Sequence, residues 1–408
     1  MKERAFLIGI RRPRTTLMQM EASVTELSRL VETTGAEVCG IEKQELKVIT
    51  PSTFIGSGKV AEIKKNLATK DIDMVVFDDE LSPAQNRNLS DALEIKVLDR
   101  TAIILDIFAK RARTREGELQ VELAQLNYRY SRLSGKGLNF MQQAGYIGNR
   151  GPGETKLEVD KRRVRDRISF LRRALQGVRK QREIHRRKRE KVPIPVISLI
   201  GYTNAGKSTL MNALTSAGVL VEDKLFATLD PTVRKMRLAS GREILIADTV
   251  GFIRKLPHQL IEAFRATFEE VDRSDLLVHV IDSSEPEMIH QMEVVETVLS
   301  ELEITGKPII KVYNKIDSPT VYFRNMDDGI PISALQGVGL SKLASAMEEI
   351  LSQSFKHAHL LLPHTEGRIL AEIYRIGRVL SVRHLKRGIV VDANLPEKLL
   401  GRYKNYCN

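Results

Sequence analysis

The sequence predicts an α/β protein of several domains, and three observations support this prediction. Strand-like and helix-like stretches alternate through the first hundred residues and alternate again after Pro195. Between these regions lie two stretches whose apolar residues recur every three to four positions. The alternation favours parallel sheets and the recurrence favours paired helices. At roughly 150 residues per domain, 408 residues suffice for two to three domains with ordinary cores.

The composition excludes several classes of protein. Cys39 and Cys407 are the two cysteines and lie far apart in the sequence, which excludes a disulfide scaffold and a zinc site built on cysteines. No apolar run reaches the length of about 18 residues that a membrane helix needs, and no cleavage site follows the basic N-terminus. We therefore expect a soluble cytoplasmic protein without membrane insertion, and a monomer.

Residues 1–112 are predicted to form a small parallel α/β domain. Its strands and helices, in chain order, are Ala5–Ile10, Glu21–Val31, Val38–Ile41, Lys59–Ala68, Met74–Phe77, Pro83–Leu93 and Lys96–Leu98. Gly56–Lys59 lacks the spacing of a phosphate-binding loop, and we interpret it as a turn that starts a helix. Asp78, Asp79 and Glu80 follow a strand, where α/β folds bind ligands, but we interpret them as a turn and a helix cap.

Residues 113–191 are predicted to form an antiparallel coiled-coil hairpin, because apolar residues recur at spacings of four and three in both arms. These residues are Leu119, Leu123, Leu126, Tyr130 and Leu133 in one arm, and Val164, Ile168, Leu171, Leu175 and Val178 in the other. From Arg111 to Lys191 the chain has 23 Lys/Arg and 9 Asp/Glu, a net charge of +14, so the remainder carries −2. Such a basic block indicates a phosphate-rich partner, nucleic acid before anionic membrane.

The predicted tip of the hairpin, residues 134–153, is long for a connection between helices, and such loops are commonly functional. It combines six glycines with Phe140, Tyr146 and several cations. Aromatic rings and cations can stack on exposed bases and contact phosphates. We therefore predict that the hairpin presents this tip to RNA.

A phosphate-binding loop follows a strand that begins near Val196. Gly201 to Ser208 fit the pattern GxxxxGK[ST] between an apolar strand and a helix, which is the context this motif requires. Backbone N–H groups of the loop would hold the phosphates, Lys207 would reach the β- and γ-phosphates, and the Ser208 hydroxyl would bind Mg²⁺. The sequence therefore predicts a nucleoside triphosphate site.

Two later motifs select the base. In Asn314-Lys315-Ile316-Asp317 the carboxylate of Asp317 can accept from both N1–H and the amino group of guanine, a donor pair that adenine lacks. In Ser333-Ala334-Leu335, which follows the next strand, a backbone N–H can meet the guanine carbonyl. At their spacing from the phosphate-binding loop, the two motifs together indicate GTP.

Two segments between these motifs would respond to the γ-phosphate. Asp248-Thr249-Val250-Gly251 ends a strand, so that Asp248 would contact Mg²⁺ through water and the Gly251 N–H would contact the γ-phosphate. In the second segment, which lies upstream of Asp248 in the sequence, a threonine would close over Mg²⁺ in the GTP state. We assign this role to Thr228, with Thr232 as the alternative.

The predicted catalytic residues are Lys207, Thr228 and Gly251, and the predicted Mg²⁺ ligands are Ser208, Thr228 and Asp248. The predicted nucleotide-binding residues are Gly201, Tyr202, Thr203, Asn204, Ala205, Gly206, Lys207, Ser208, Thr209, Phe226, Ala227, Thr228, Asp248, Thr249, Val250, Gly251, Asn314, Lys315, Asp317, Ser333, Ala334 and Leu335.

Residues 192–356 thus form the predicted nucleotide-binding domain, and residues 357–408 a small α+β domain at the C-terminus. The elements predicted for the small domain are a strand at Leu360–Leu362, a helix from about Glu366, strands at Val379–Val382 and Ile389–Val391, and a helix at Glu397–Tyr403.

Three longer motifs carry a family resemblance. FATLDPT (Phe226–Thr232), DTVGFIRKLPHQL (Asp248–Leu260) and GPGETKLEVDKRR (Gly151–Arg163), in this layout, resemble the HflX family of translation-associated GTPases over nearly the whole chain. The resemblance implies an N-terminal α/β domain with a helical hairpin, a Ras-like P-loop G domain and a small C-terminal domain. It also implies GTP hydrolysis, binding to the large ribosomal subunit, and separation of stalled or idle ribosomes into subunits. The hairpin tip would point toward the peptidyl-transferase region.

Position 252 departs from many GTPases, which place a water-orienting glutamine after the DxxG glycine. Phe252 cannot hydrogen-bond to water, so we predict slow hydrolysis by the chain alone and faster hydrolysis with a partner. Arg254 and Lys255 would sense either ribosomal RNA or the γ-phosphate, and the sequence does not choose between them. Asn204 lies where some related GTPases help to bind K⁺.

The predicted mechanism is a nucleotide-controlled clamp, in which GTP and Mg²⁺ order Thr228 and the Gly251 loop and present the hairpin to ribosomal RNA. Three alternatives use the same motifs differently. A GTPase of large-subunit assembly would share the whole chemistry. A switch acting on membranes or proteins is disfavoured because the hairpin seam uses up the apolar residues. A P-loop kinase is disfavoured by Asp317 and the two switch segments.

Overall fold

The computed structural model describes residues 2–134, 152–189, 194–215, 225–226, 228–229, 231–257, 260, 265–322, 328–353 and 355–406. The chain divides into two compact units. The first consists of Met1–Lys180, Asp223–Leu229 and Arg254–Arg265. The second consists of Gln181–Glu222, Asp230–Ile253 and Ala266–Asn408. The boundaries of the four predicted domains stay predictions.

The first unit contains a four-stranded parallel sheet in the order β2-β1-β3-β4. Its strands are β1 (Arg4–Arg11), β2 (Glu37–Glu45), β3 (Met74–Phe77) and β4 (Lys96–Asp99). Its helices are α1 (Leu17–Thr33), α2 (Ser57–Ala68), α3 (Pro83–Leu93) and α4 (Arg100–Arg111). The predicted parallel α/β architecture is confirmed, because each strand pair is joined by a helix that covers the sheet.

Local sequence signals start these helices. Helix α3 begins with a capping box in which Ser82 and Gln85 satisfy each other's backbone N–H groups. Helix α2 begins directly after Gly56, two residues before the predicted start at Lys59, and among the described residues no phosphate-binding loop precedes it. Asp78 and Asp79 form a bend after β3, in agreement with the predicted turn. The prediction that this run caps the helix is wrong, because Ser82 caps it and both aspartates form ion pairs.

Helices α5 (Arg115–Ser134) and α6 (Pro152–Arg189) form the predicted hairpin. All of the predicted seam residues except Leu133 belong to one apolar cluster between the two helices. Many arginines of α6, such as Arg162, Arg165 and Arg172, are exposed on its outer surface. The predicted glycine-rich tip lies almost wholly outside the described residues.

The second unit contains a six-stranded sheet in the order β10-β9-β8-β5-β7-β6, parallel except for β6. Its strands are β5 (Val196–Gly201), β6 (Thr232–Arg237), β7 (Glu243–Asp248), β8 (Leu276–Asp282), β9 (Ile309–Asn314) and β10 (Gly329–Pro331). Helices α7 (Lys207–Thr215), α8 (Arg265–Arg273), α9 (Met288–Glu301) and α10 (Leu340–Ser352) accompany them. This is the predicted Ras-like P-loop architecture. The carboxyl ends of its parallel strands meet at one edge, where such sheets bind ligands.

A three-stranded antiparallel sheet in the order β11-β13-β12 completes the second unit. Its strands are β11 (Phe355–Leu362), β12 (Arg378–Leu385) and β13 (Gly388–Pro396). Helices α11 (Gly367–Ile376) and α12 (Glu397–Leu400) and a 3₁₀ helix at Gly401–Tyr406 follow the predicted order of elements. Strand β11 is longer than predicted because its first half alternates apolar Ala358 with exposed His357 and His359. Within the described parts of the chain, no helix is both long and apolar enough to cross a membrane.

Candidate nucleotide-binding site

The loop between β5 and α7 adopts a conformation that its glycines make possible. Gly201 has φ +149°, and a Cβ there would lie 2.2 Å from the Val280 carbonyl oxygen. Gly206 has φ +94°, and a Cβ there would lie 2.3 Å from Nδ2 of Asn314. Glycine has no Cβ, so it adopts a positive φ without strain and allows other atoms to approach its backbone closely. The motif glycines are thus fixed by the neighbouring strands β8 and β9.

Lys207, the first residue of α7, is buried, and its ammonium lies inside the loop. Its Nζ donates to the carbonyl oxygens of Gly201 (3.1 Å) and Tyr202 (2.8 Å). Burial lowers the pKa of Lys207 to about 8, against the opposing effect of the Asp248 charge. The Lys207 ammonium is therefore positioned at the centre of the loop, where it could pair with the phosphates of a bound nucleotide.

Ser208 and Asp248, two predicted Mg²⁺ ligands, are brought together from α7 and the end of β7. The Ser208 hydroxyl donates to Oδ2 of Asp248 at 2.6 Å. A hydroxyl and a carboxylate are the hard oxygen donors that Mg²⁺ prefers, in combination with water and phosphate oxygens. The donor set therefore fits the predicted ion.

Asn314 connects the phosphate loop with the predicted base-binding segment. Its Nδ2 donates to the Ala205 carbonyl at 2.9 Å, and its Oδ1 accepts from the Ala334 N–H at 2.9 Å. The Ser333 hydroxyl accepts from the Gln336 N–H at 3.0 Å and so closes the turn that follows. The structure thus brings the two predicted base-selecting motifs together at one edge of the sheet.

Lys315 and Asp317, which complete the first base-selecting motif, differ in their surroundings. Lys315 has φ +65°, and its Nζ pairs with Oδ2 of Asp282 at 2.6 Å. Asp317 is exposed, as is Leu335 of the second motif. Exposed positions of this kind leave the carboxylate of Asp317 accessible to a base.

Sequence reasoning missed Asp282 and Ser283 as supports of this segment. The Ser283 hydroxyl donates to the Asn314 carbonyl at 2.5 Å, and Asp282 holds Lys315. The available signal was the polar run that follows the buried strand β8, at the same edge of the sheet as the other motifs.

Gly251 lies directly against the phosphate loop. A Cβ at Gly251 would be 2.8 Å from the Thr203 Cα and 3.0 Å from the Lys207 Nζ. The next residue, Phe252, donates its N–H to the Gly201 carbonyl (3.1 Å), and its own carbonyl accepts from the Thr203 N–H (2.7 Å). These bonds extend the pairing of β5 and β7 beyond the end of both strands.

The side chain of Phe252 is part of the core. Its ring is fully buried and stacks on Phe268 at a centroid distance of 5.5 Å. The residue that follows the DxxG glycine therefore contributes its backbone to the site, and its side chain packs elsewhere. This agrees with the prediction that Phe252 does not orient water.

The remaining predicted residues of the second unit lie in the loop or beside it. The Thr249 hydroxyl donates to the Leu199 carbonyl at 2.7 Å and so ties the DxxG segment to β5. Asn204 has φ +62°, another left-handed conformation in the phosphate loop. Buried members are Tyr202, Thr203, Ala205 and Val250, and Thr209 is half-buried on α7.

Phe226 and Thr228 belong to the first unit. The Phe226 ring is buried edge-to-face against Phe108 of α4, at 4.7 Å between centroids, and Thr228 is half-buried. Ala227 lies outside the described residues. The alternative, Thr232, begins β6 and pairs in register with Asp248. The choice of Thr228 as the switch threonine stays a prediction.

Three family models match consecutive parts of the chain: GTP-binding GTPase N-terminal at residues 21–109, GTP-binding GTPase Middle Region at 111–189, and 50S ribosome-binding GTPase at 196–315. The chain is 47% identical over 405 residues to the GTPase HflX of Caldanaerobacter subterraneus subsp. tengcongensis, covering 99% of this chain and 94% of that protein. It is 44% identical over 358 residues to the GTPase HflX of Escherichia coli (strain K12), covering 86% and 84%.

Among solved structures, a GTP-binding protein of Sulfolobus solfataricus in complex with GDP is 26% identical, with 86% of this chain and 99% of that chain covered and a TM-score of 0.45. This likeness is too distant in shape to inform the site.

Proposed function

Because the chain belongs to the HflX family of GTPases, enzymes that hydrolyse GTP, we propose that it binds the large ribosomal subunit and separates stalled or idle ribosomes into subunits. One observation carries the proposal: the described parts of the segment with net charge +14 include two paired helices with exposed arginines, in the same chain as a GTP site. The description of the matched family model, 50S ribosome-binding GTPase, supports the same partner.

The proposed chemistry uses residues that the phosphate loop brings together. Lys207 would neutralise the β- and γ-phosphates, and the Gly251 N–H would contact the γ-phosphate. Mg²⁺ would be held by Ser208 and Asp248, with Thr228 as a further ligand, and would neutralise charge on the phosphate oxygens. A K⁺ ion beside Asn204 stays a prediction.

The proposed enzyme is slow without its partner. The Phe252 side chain is buried against Phe268. It occupies the position at which many GTPases have a water-orienting glutamine, so no side chain at this position can orient water. Placement of water then depends on the backbone near Gly251 and on groups that a partner supplies or orders. Stimulation by the large subunit is the expected consequence.

The proposed contact with the ribosome is electrostatic. Lysines and arginines that neutralise phosphates release counterions, which favours binding without requiring a particular base sequence. Among the described side chains of α5 and α6, most apolar residues lie in the seam between the helices, and Phe170 is an exposed exception, so the outer surface offers mainly charge. Ribosomal RNA is therefore the proposed partner, with the cytoplasm as the place of action and a monomer as the working form.

The test measures GTP turnover by the purified chain, alone and with large subunits, beside a variant with residues 134–153 shortened. We expect stimulation by the subunits and its loss in the variant, with unchanged GDP affinity. Fast turnover alone that subunits do not change would contradict the proposal.

Separate measurements distinguish the separation of ribosomes into subunits from a role in assembly of the large subunit. Incubation with intact ribosomes and GTP is expected to release subunits, as measured by sedimentation. Binding to precursor particles in preference to mature subunits, without splitting, would favour the assembly GTPase instead.

A further inference from the structure

A cluster of charged residues in the first unit holds the chain just after the DxxG glycine. We call Glu26, Asp78, Arg254 and Lys255 the switch clamp. The Lys255 Nζ lies 2.5 Å from Oδ2 of Asp78, and the Arg254 Nε lies 3.3 Å from Oε2 of Glu26. Glu26 lies on α1 and Asp78 directly follows β3. Two carboxylates of the N-terminal domain thus pair with consecutive cations of the segment after Gly251.

Three residues of the switch clamp, Glu26, Asp78 and Arg254, are buried, and the cluster shares one further cation. Arg100 at the start of α4 pairs with both Glu26 and Asp78. The side chains of Asp78 and Arg100 are each only 2% exposed, and that of Arg254 is 7% exposed. Arg100 alone cannot balance two buried carboxylates, so Arg254 and Lys255 supply the missing positive charge. Buried charges are stable where they are paired in this way.

The carboxyl group of Asp78 is ionised at neutral pH and can therefore pair with these cations. Burial by itself would raise the pKa of Asp78, but the charges of Arg100 and Lys255 lower it below its usual value. The Ser23 hydroxyl also donates to Asp78 at 2.6 Å and fixes its orientation. Nearby, Asp79 contacts Lys255 at 3.3 Å and Arg12 at 3.0 Å.

The position of the clamp along the chain links it to the reaction. Arg254 is the third residue after Gly251, and Gly251 and Phe252 are bonded to the phosphate loop. The short segment is therefore fixed at both ends, by backbone bonds at Phe252 and by ion pairs at Arg254 and Lys255. A segment held at both ends has few alternative conformations to lose before reaction.

We propose that Glu26 and Asp78 are positioning residues for GTP hydrolysis. By holding Arg254 and Lys255 they fix the backbone of Gly251 and Phe252, which must place water and the γ-phosphate because the Phe252 side chain does not. The proposal rests on the GTP hydrolysis of the family and is independent of the ribosomal partner. It also assigns Arg254 and Lys255 a role different from the two that the sequence suggested.

The test uses Lys255, because it is 38% exposed and its replacement leaves the buried Arg100 pairs in place. Lys255→Met removes the charge and keeps the length, and Lys255→Arg keeps the charge. Arg254→Met tests the second pair. Lys43→Met is the matched control, since Lys43 forms an exposed ion pair with Glu21 in the same domain. Turnover is measured with GTP on the purified full chain, with GDP affinity and thermal unfolding measured beside it.

We expect Lys255→Met and Arg254→Met each to lower kcat about tenfold, with KM and the Kd for GDP within about twofold of the unaltered chain. Lys255→Arg is expected to recover most of the lost kcat, and Lys43→Met to leave it unchanged. Turnover by the unaltered chain in the same assay shows whether the protein hydrolyses GTP at all. A failure of that activity is thereby distinguished from a failure of the proposed role of the switch clamp.

Three results would overturn the proposal. The first is a kcat for Lys255→Met equal to that of the control. The second is a parallel loss of GDP affinity, which would mean that the site as a whole is disturbed. The third is a rise in kcat, which would mean that the clamp holds the segment away from its productive position.

Discussion

Gly251 is a residue at which the site leaves no space for a side chain. Because a Cβ there would meet the Thr203 Cα at 2.8 Å, Gly251→Ala must displace the segment from the phosphate loop. We expect kcat for GTP to fall about tenfold or more, since small displacements of a positioned group cost large factors in rate. GDP affinity should change little. Gly58→Ala on α2, where the added Cβ meets nothing within 4 Å, is the control. Unchanged turnover in Gly251→Ala would contradict the placement of Gly251.

Lys207 gives the site a dependence on pH whose sign can be stated. Its pKa is lowered to about 8 by burial, and bound phosphates would raise it again because they favour the charged form. Above about pH 8, binding of GDP must therefore be accompanied by proton uptake, and affinity should weaken as the pH rises. Titration calorimetry at pH 8.5 in two buffers of different ionisation enthalpy measures the uptake. At pH 6.5 Lys207 is already charged, so uptake should vanish; equal uptake at both pH values would refute the assignment.

At the scale of elements, the sequence identified what is local and missed what is assembled from distant parts. The phosphate loop and the two base-selecting motifs were predicted because each is a short run in a recognisable strand–loop context. Asp78 was misread as part of a cap because its partners Arg100 and Lys255 are 22 and 177 residues away. A motif of consecutive residues can be recognised from the residues beside it in the sequence. An ion pair between residues distant in sequence can be recognised only once the folded structure brings their elements together.

A buried carboxylate, that of Asp99, connects helix α5 to the N-terminal sheet. Asp99 is fully buried and accepts from the Tyr128 hydroxyl at 2.8 Å and from Arg132 at 2.6 Å. It also caps α4 by accepting from the Ala102 N–H. One residue thus fixes both α4 and the first arm of the hairpin.

We predict that Arg132→Met lowers the free energy of unfolding by about 2–4 kcal/mol, because it leaves a buried carboxylate without its cation. Urea unfolding followed by helical circular dichroism measures the change. Arg129→Met, an exposed arginine on the same helix, should change stability by less than about 0.5 kcal/mol. Equal effects of the two substitutions would show that Asp99 does not anchor α5 through Arg132.

At the scale of the whole molecule, the residues predicted to respond to nucleotide are divided along the sequence between the two units. The phosphate loop and base-selecting motifs belong to the second unit, whereas Asp223–Leu229 and Arg254–Arg265 belong to the first, together with α5 and the part of α6 up to Lys180. The chain therefore crosses from one unit to the other immediately after the DxxG segment.

The charge of the hairpin makes the last prediction quantitative. Each phosphate neutralised on RNA contributes about 0.7–0.9 to the slope of log affinity against log salt concentration. Replacing the exposed Arg162, Arg165 and Arg172 of α6 by glutamine should therefore reduce the slope for large-subunit binding by about 2–3. The control replaces three exposed cations of the N-terminal domain, Arg14, Lys47 and Lys65, by glutamine, which changes the net charge equally. If both triple variants reduce the slope alike, net charge and not the hairpin governs binding, whereas a loss confined to the α6 variant identifies the hairpin as the surface that meets RNA.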